Sequence, residues 1–195
     1  MEQMEIARQL EQRFPDEILE IYEYQRQVGV LVRRQRIVEI CRYLKETPEL
    51  RLDHLMCLCG VDNLKRPGNE NLLRFEVVYN LYSVGHRHSI KLRAQIPEDE
   101  PEIDSVTPVW CGADWPEREC YDLMGIRFRG HPDMRRILLP DTWEGHPLRK
   151  EYPLRGEAEW PEFDVLRQKV VELRKYDFHP GDGDQNGSCS KGDRQ

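Results

Sequence analysis

Two stretches, residues 74–82 and 88–96, alternate apolar and polar side chains almost without a break, and they limit what this chain can become. In the first, Phe75, Val77, Tyr79 and Leu81 share one face, opposite Arg74, Glu76 and Asn80. In the second, His88, Ile90, Leu92, Ala94 and Ile96 oppose Ser89, Lys91, Arg93 and Gln95. A period of two marks a strand with one face on a core. The link Ser83-Val84-Gly85-His86-Arg87 is short enough for a hairpin. Antiparallel strands with a single buried face point to the α+β class and away from a doubly wound parallel sheet.

The flanking sequence supplies further elements. Met4, Ala7, Leu10 and Phe14 fall near one face of a helix over 2–13, which Pro15 ends. Residues 18–24 and 28–32 are rich in β-branched and aromatic residues and are strand candidates. Ile37, Ile40, Cys41 and Leu44 obey the i, i+3, i+4, i+7 rule, so 34–46 is an amphipathic helix stopped by Thr47-Pro48. The apolar patch 50–64 is open to either type. Residues 103–124 read as a loop followed by a helix, with Pro116 suited to the helix start. The expected architecture is a compact α+β domain over 1–124, with a mostly antiparallel sheet and flanking helices. An extended C-terminal strap follows over 125–160.

That strap is dense in turn formers: Gly125, Gly130, Pro132, Pro140, Gly145, Pro147, Pro153 and Gly156. A segment so punctuated does not bury itself, yet Phe128, Ile137, Leu138, Leu139, Trp143, Leu148 and Leu154 argue that it lies against something. Between 117 and 155 the cations are at 118, 127, 129, 135, 136, 149, 150 and 155, and the anions at 117, 119, 122, 133, 141, 144 and 151. The stretch is therefore near neutral in a chain of net charge −7. Alternating signs threaded with Tyr121, Phe128, Trp143 and Tyr152 fit a protein-binding surface, where buried charges have to be paired. Beyond it, Phe163, Leu166, Val170 and Leu173 indicate a short helix within 161–178. The tail 179–195, with four glycines and no large apolar residue, is expected to be disordered.

Several function classes are disfavoured. The acidic balance, with a pI near 5.5, argues against nucleic-acid or anionic-membrane binding, which need a basic excess. No apolar run approaches the roughly 20 residues of a membrane span, and the N-terminus lacks a secretory signal pattern. The expected location is cytosolic, or peripheral on the cytoplasmic side of something larger. The six cysteines include no CxxC pair, and Cys57-Leu-Cys59 is too tight for ordinary zinc or iron–sulfur ligation. His86, His88, His131 and His146 lack carboxylate or thiol partners at ligand spacing, so no metal site is expected. Gly130-His131-Pro132 and Gly145-His146-Pro147 repeat a triplet whose plain reading is two rigid turns. Nucleotide-binding, serine-hydrolase and zinc-protease motifs are all missing.

Glu117, Glu119, Asp122 and His131 are the acid/base candidates. Arg118 sits among them, and a carboxylate beside Arg is more often a structural ion pair than a tuned acid. Arg135-Arg136 and Arg149-Lys150 form two cationic pairs. The interleaved Asp133, Asp141, Glu144 and Glu151 would repel a phosphate, so carboxylates of a partner protein are the better match.

The run Glu117-Arg118-Glu119, Asp122-Leu123-Met124, His131, Arg135 and Ile137-Leu138 resembles the signature of the thirty-kilodalton subunit of respiratory complex I, the C subunit of bacterial NADH–quinone oxidoreductase. The block Trp143-Glu144-Gly145-His146-Pro147-Leu148-Arg149-Lys150-Glu151-Tyr152-Pro153 is similar to that family's second block, and Val61 to Leu64 is compatible with it. The resemblance implies a non-catalytic scaffold in the hydrophilic arm of a proton-translocating complex of the respiratory chain that passes electrons from NADH to quinone. It implies a strap lying on the forty-nine-kilodalton-type subunit (the D subunit), with other arm subunits such as the B subunit as neighbours. No cofactor is implied in this chain; FMN and iron–sulfur clusters belong to other subunits. The implied location is peripheral, on the cytoplasmic side of the cell inner (plasma) membrane, with membrane contact only through the complex. Glu117, Arg118, Glu119, Asp122, His131, Arg135, Arg136, Trp143, Arg149 and Lys150 become interface and strap-positioning residues, with no catalytic or metal-binding residue among them. Two competing readings are the equivalent subunit of a membrane-bound hydrogenase or ferredoxin-fed complex, and a stand-alone hydrolase using Glu119 and His131.

Overall fold

The chain's structure is a computed structural model describing residues 2–65, 72–154 and 163–173. It divides into two compact units, 1–156 and 157–195. In the first, the elements run α1 (Gln3–Arg13), β1 (Ile18–Tyr24), β2 (Gln27–Arg33), α2 (Ile37–Glu46), β3 (His54–Asp62), β4 (Phe75–Ser83), β5 (His88–Ile96), β6 (Glu102–Asp104), α3 (Asp114–Met124) and β7 (Arg127–Arg129). In the second unit the described element is α4 (Phe163–Leu173), where the Arg167 guanidinium lies over the Phe163 ring at 5.4 Å. The end of the expected strap, 155–160, and the tail expected to be disordered, 179–195, lie outside the described residues.

The main sheet has the order β1-β2-β5-β4-β3. The hairpin expected from the two alternating stretches is β4–β5, in register from Phe75↔Ile96 to Ser83↔His88. β1–β2 and β3–β4 are also antiparallel, and β2 pairs with β5 in parallel. The α+β expectation stands, with a mixed sheet. The parallel pair follows from the chain leaving β2 through α2 and two further strands before β5 inserts beside it. Residues 50–64, left open by sequence, resolve into a turn and β3, an edge strand.

Burial follows the alternation. Phe75, Val77, Tyr79 and Leu81 of β4, and Ile90, Leu92, Ala94 and Ile96 of β5, are buried on one face with Ile6, Leu10, Ile37, Ile40, Cys41 and Leu44 of α1 and α2. The fully buried apolar side chains supply the main driving force, about 1.5–3 kcal/mol each. His86 and His88 stack at 5.5 Å and turn their Nε2 atoms to the Pro48 and Leu50 carbonyls, which fastens the chain leaving α2. They tie strand to backbone.

The opposite face breaks the pattern at Glu76 and at its register partner Gln95. Glu76 is fully buried there because Arg93 on β5 pairs with it through Nε at 2.9 Å and Nη2 at 2.5 Å. Arg93 in turn covers the Tyr22 ring at 5.4 Å. Tyr22 lies over Gly29 of β2, where a Cβ would come within 2.2 Å of the ring.

Candidate functional site

The two motif blocks of the strap converge on one helix. α3 begins after a short 3-10 turn, Cys111–Ala113, and carries Pro116 in its first turn, where the absent N–H costs nothing. It packs on β3: a Cβ at Gly60 would lie 3.1 Å from the Met124 side chain. Its buried residues are Glu117, Cys120, Asp122 and Met124. Burial pushes the Cys120 thiol up, as it does that of Cys41, so both act as core residues.

Asp122 is the hub. It is fully buried, and one carboxylate oxygen, Oδ2, accepts the backbone N–H groups of Ile137, Leu138 and Leu139 at 3.1, 2.8 and 2.9 Å. The other, Oδ1, takes the Arg136 guanidinium at 2.7 Å. Burial works to raise this carboxyl, but the Leu139 N–H, Arg136 and the Leu138 and Ile137 N–H groups outweigh it and hold it below its ordinary value. Four donors thus converge on one side chain and bend the strap around the helix.

The end of α3 is closed by the second block. An α-helix leaves its last four carbonyls without intrahelical partners. Here Gly125 N–H donates to Tyr121 O at 2.9 Å, and His146 Nδ1–H to Asp122 O at 2.9 Å. Leu148 N–H donates to Leu123 O at 3.0 Å, and Arg149 Nε–H to Met124 O at 2.8 Å. Arg136 reaches onward to the carbonyls of Trp143 and Gly145. The cations at this end also suit the negative pole of the helix dipole. Burial first, then the Arg149 and Arg136 charges, lower the His146 pKa against the pull of the Asp122 carbonyl.

The repeated Gly-His-Pro triplet now has a geometry. Gly130 and Gly145 have φ of +77° and +79°, and each turn directs its histidine at an opposite end of α3. His131 Nε2–H donates to Asp114 O at 3.1 Å, while its Nδ1 accepts Asp133 N–H at 3.0 Å. Both ring nitrogens are therefore held by main chain, which leaves this histidine no free lone pair for the hydrolase role considered above. Glu119, its supposed companion, is exposed on the outer side of the helix.

A third tie-point was not foreseen. Asp62, at the end of β3, accepts Lys150 N–H and Leu64 N–H, both at 2.9 Å. Arg74 pairs with Asp62 at 3.4 Å and also bridges Glu98 and Glu151. Burial works to raise the Asp62 carboxyl, but the Lys150 and Leu64 N–H groups and Arg74 hold it low. The buried Phe75 ring carries Arg74 on one contact at 4.7 Å and Arg149 on another at 5.2 Å. The only sequence signal was the Val61–Leu64 stretch; Arg74 reads as one more polar residue of a strand.

The nominated residues therefore separate into two sets. Glu117, Asp122, His131, Arg136 and Arg149 turn inward, and Arg118 binds the Arg135 and Arg136 carbonyls at 3.1 Å each. Trp143 is half-buried and lends its carbonyl to Arg136. Outward are Glu119, Arg135, whose guanidinium meets only its neighbour Asp133 among the described residues, and Lys150. Beside Glu119 lies a shallow apolar hollow lined by Cys111, Trp115, Pro116, Ile137 and Leu138 and rimmed by Asp114 and Glu119 itself. Trp115 is 69% exposed and Leu138 62%.

Glu117 is the least expected. It is wholly buried, accepting Ser105 Oγ–H and Val106 N–H at 2.7 Å each. Burial pushes its carboxyl up to about 7 against those two bonds, with Asp114 adding to the rise. The folded state thus binds this proton more tightly than the unfolded chain. The associated stability is complete below the ordinary value of 4.5 and is lost as pH climbs toward about 7. Glu117→Gln should raise the urea-unfolding free energy at pH 8 by on the order of 2–3 kcal/mol. The gain should vanish at pH 4; a gain independent of pH would contradict the assignment.

The sequence profile of the family described as "Respiratory-chain NADH dehydrogenase, 30 Kd subunit" matches residues 30–158. Among curated relatives, the C subunit of the NADH-quinone oxidoreductase of Geotalea uraniireducens is 46% identical over 152 residues, 78% of this chain and 88% of that protein. The protein of the same name from Roseiflexus castenholzii is 45% identical over 152 residues, 78% of this chain and 84% of that one. Among solved structures, the trypsin-resistant fragment (1-134) of Nqo5 superposes with a TM-score of 0.59 at 29% identity, covering 68% of this chain and 99% of the fragment. A chain of an archaeal membrane-bound sulfane sulfur reductase superposes with a TM-score of 0.62 over 91% of this chain and 96% of that chain; at 21% identity it shares the fold.

Proposed function

The chain belongs to the family of the respiratory-chain NADH dehydrogenase 30 Kd subunit, and from that premise we propose that it is a non-catalytic scaffold in the hydrophilic arm of a proton-translocating NADH–quinone oxidoreductase. In this reading it holds the forty-nine-kilodalton-type subunit, and the electrons pass through other chains. The carrying observation is the division of labour in the motif. Its buried ionisable residues are committed within the chain, Asp122, His131, Arg136 and Arg149 to main-chain groups of α3 and the strap and Glu117 to Ser105 and Val106 ahead of α3, while Trp115, Leu138, Arg135 and Lys150 face outward. The inward set shapes the strap; the outward set is what a partner meets. Arg and aromatic residues beside apolar side chains are the usual anchors of such contacts, and an exposed apolar patch of this kind marks an interaction site. The names carried by the curated relatives favour NADH–quinone oxidoreductase over a ferredoxin-fed or hydrogenase complex.

The test separates folding from assembly. Trp115→Ala combined with Leu138→Ser removes exposed groups, so the isolated chain should keep its unfolding free energy within about 0.5 kcal/mol. In membranes, the amount of intact complex on blue-native gels should fall by at least roughly tenfold, given about 1.4 kcal/mol or more for each hot-spot side chain. NADH:quinone turnover per assembled complex should be unchanged. Normal assembly with slow turnover would contradict the scaffold reading.

A further inference from the structure

The assembly role does not use the Cys57-Leu-Cys59 motif, and the fold gives that motif a setting. β3 is an edge strand with a register shift between Leu55 and Cys57, so Met56 is the extra residue of a bulge. Beyond the bulge the alternation resumes. Leu58 points into the core, and Cys57 and Cys59 lie on the other face, opposite Asn80 and Val78 of β4. Both cysteines are exposed free thiols two residues apart on that face. Met56 is 59% exposed and lines the same hollow as Cys57, with Lys91 across from them.

A disulfide fits poorly here. Alternate residues of an extended strand lie about 6.6–6.8 Å apart at Cα, at the outer edge of the disulfide range and beyond its mode of about 5.5–6 Å. Zinc fits no better, since it takes four ligands in a tetrahedron. Among the described residues no group of three or more His, Cys, Asp or Glu is arranged for a metal. Two thiols and a thioether are all soft donors, and soft sulfur ligands select Cu(I). We propose that Met56, Cys57 and Cys59 form a binding site for a soft monovalent cation of the Cu(I) class. Binding displaces the two thiol protons to solvent and leaves a net negative cluster beside Lys91, which offsets it. The inference is independent of the scaffold reading, because it concerns the open face of the sheet and not the strap.

The experiment uses the full chain, reduced and anaerobic, titrated against the coloured complex of Cu(I) with bathocuproine disulfonate. One Cu(I) per chain should leave the competitor, and Ag(I) should displace it. Even an outer-shell partner is worth roughly 10–100-fold in metal affinity, so Cys57→Ser or Cys59→Ser should cost on the order of 100-fold or more. Met56→Leu should cost about tenfold on the same scale, and Cys111→Ser nothing. A readout without variants is alkylation of the wild-type chain mapped by mass: Ag(I) should shield Cys57 and Cys59 and leave Cys111 reactive. Undiminished Cu(I) affinity in either serine variant, equal labelling of the three thiols with Ag(I) present, or Zn(II) displacing Cu(I) would each overturn the proposal.

Discussion

Asp122→Ala should unfasten the strap from α3. The substitution leaves three backbone N–H groups and the Arg136 guanidinium without their shared acceptor. Breaking a buried charge pair from one side costs about 3–5 kcal/mol, because the remaining partner stays uncompensated. For a chain of this size that is roughly 6–20 °C in Tm, at about 2–4 °C per kcal/mol. Trypsin should cut at Arg135 and Arg136 within the folded chain, well before the sheet unfolds, and the intact respiratory complex should be lost with it. A wild-type cleavage pattern in the variant would show that the strap is held by other contacts. The pH profile supplies a second check. A carboxylate held below its ordinary value contributes stability that is present above the unfolded value, about 3.9, and lost as pH falls through the folded one. Asp62 adds to the same loss. Wild-type protein should therefore weaken in acid over that window, and Asp122→Ala should weaken less steeply.

Gly125→Val should be nearly as damaging for a different reason. Gly125 ends α3 with φ of +73°, and a Cβ there would stand 2.5 Å from Arg149 Nη2 and 2.6 Å from the His146 ring. A left-handed conformation costs an ordinary residue about 1–2 kcal/mol, and a β-branched one more. The valine also displaces the two side chains that cap the helix carbonyls, His146 and Arg149, the latter through a charge-assisted bond worth about 1.5–3 kcal/mol. The expected total is about 3–5 kcal/mol in urea unfolding, with loss of complex assembly in membranes. Gly125→Ala should show the same defect in smaller measure. If Gly125→Val unfolds with the wild-type midpoint, the second block does not close the helix in the manner described.

Much of the fold was legible in the chain. Alternation in β4 and β5 and the four-residue stripe of α2 are local patterns, each set by which side chains must leave water, and the structure places them as read. The family was legible too, because the two motif blocks keep their residue types and spacing. Other features were not. Glu119 and Asp122 are helix neighbours three residues apart, yet one faces solvent and the other is buried, and nothing near them in sequence reveals which. The strap, read as unable to bury itself, has the N–H groups of Ile137, Leu138 and Leu139 satisfied by Asp122 and that of Lys150 by Asp62.

The residues alone determined the element types, the one-faced sheet and the membership of a family, since periodicity and motif spacing act over a few turns of chain. Tertiary structure alone decided the parallel β2–β5 pairing and the two ends of α3 to which His131 and His146 attach. It also decided the meeting of Asp62 with Lys150, 88 residues apart. Those pairings depend on closing long loops around a shared core, and a buried charge takes whichever donors that closure brings within reach.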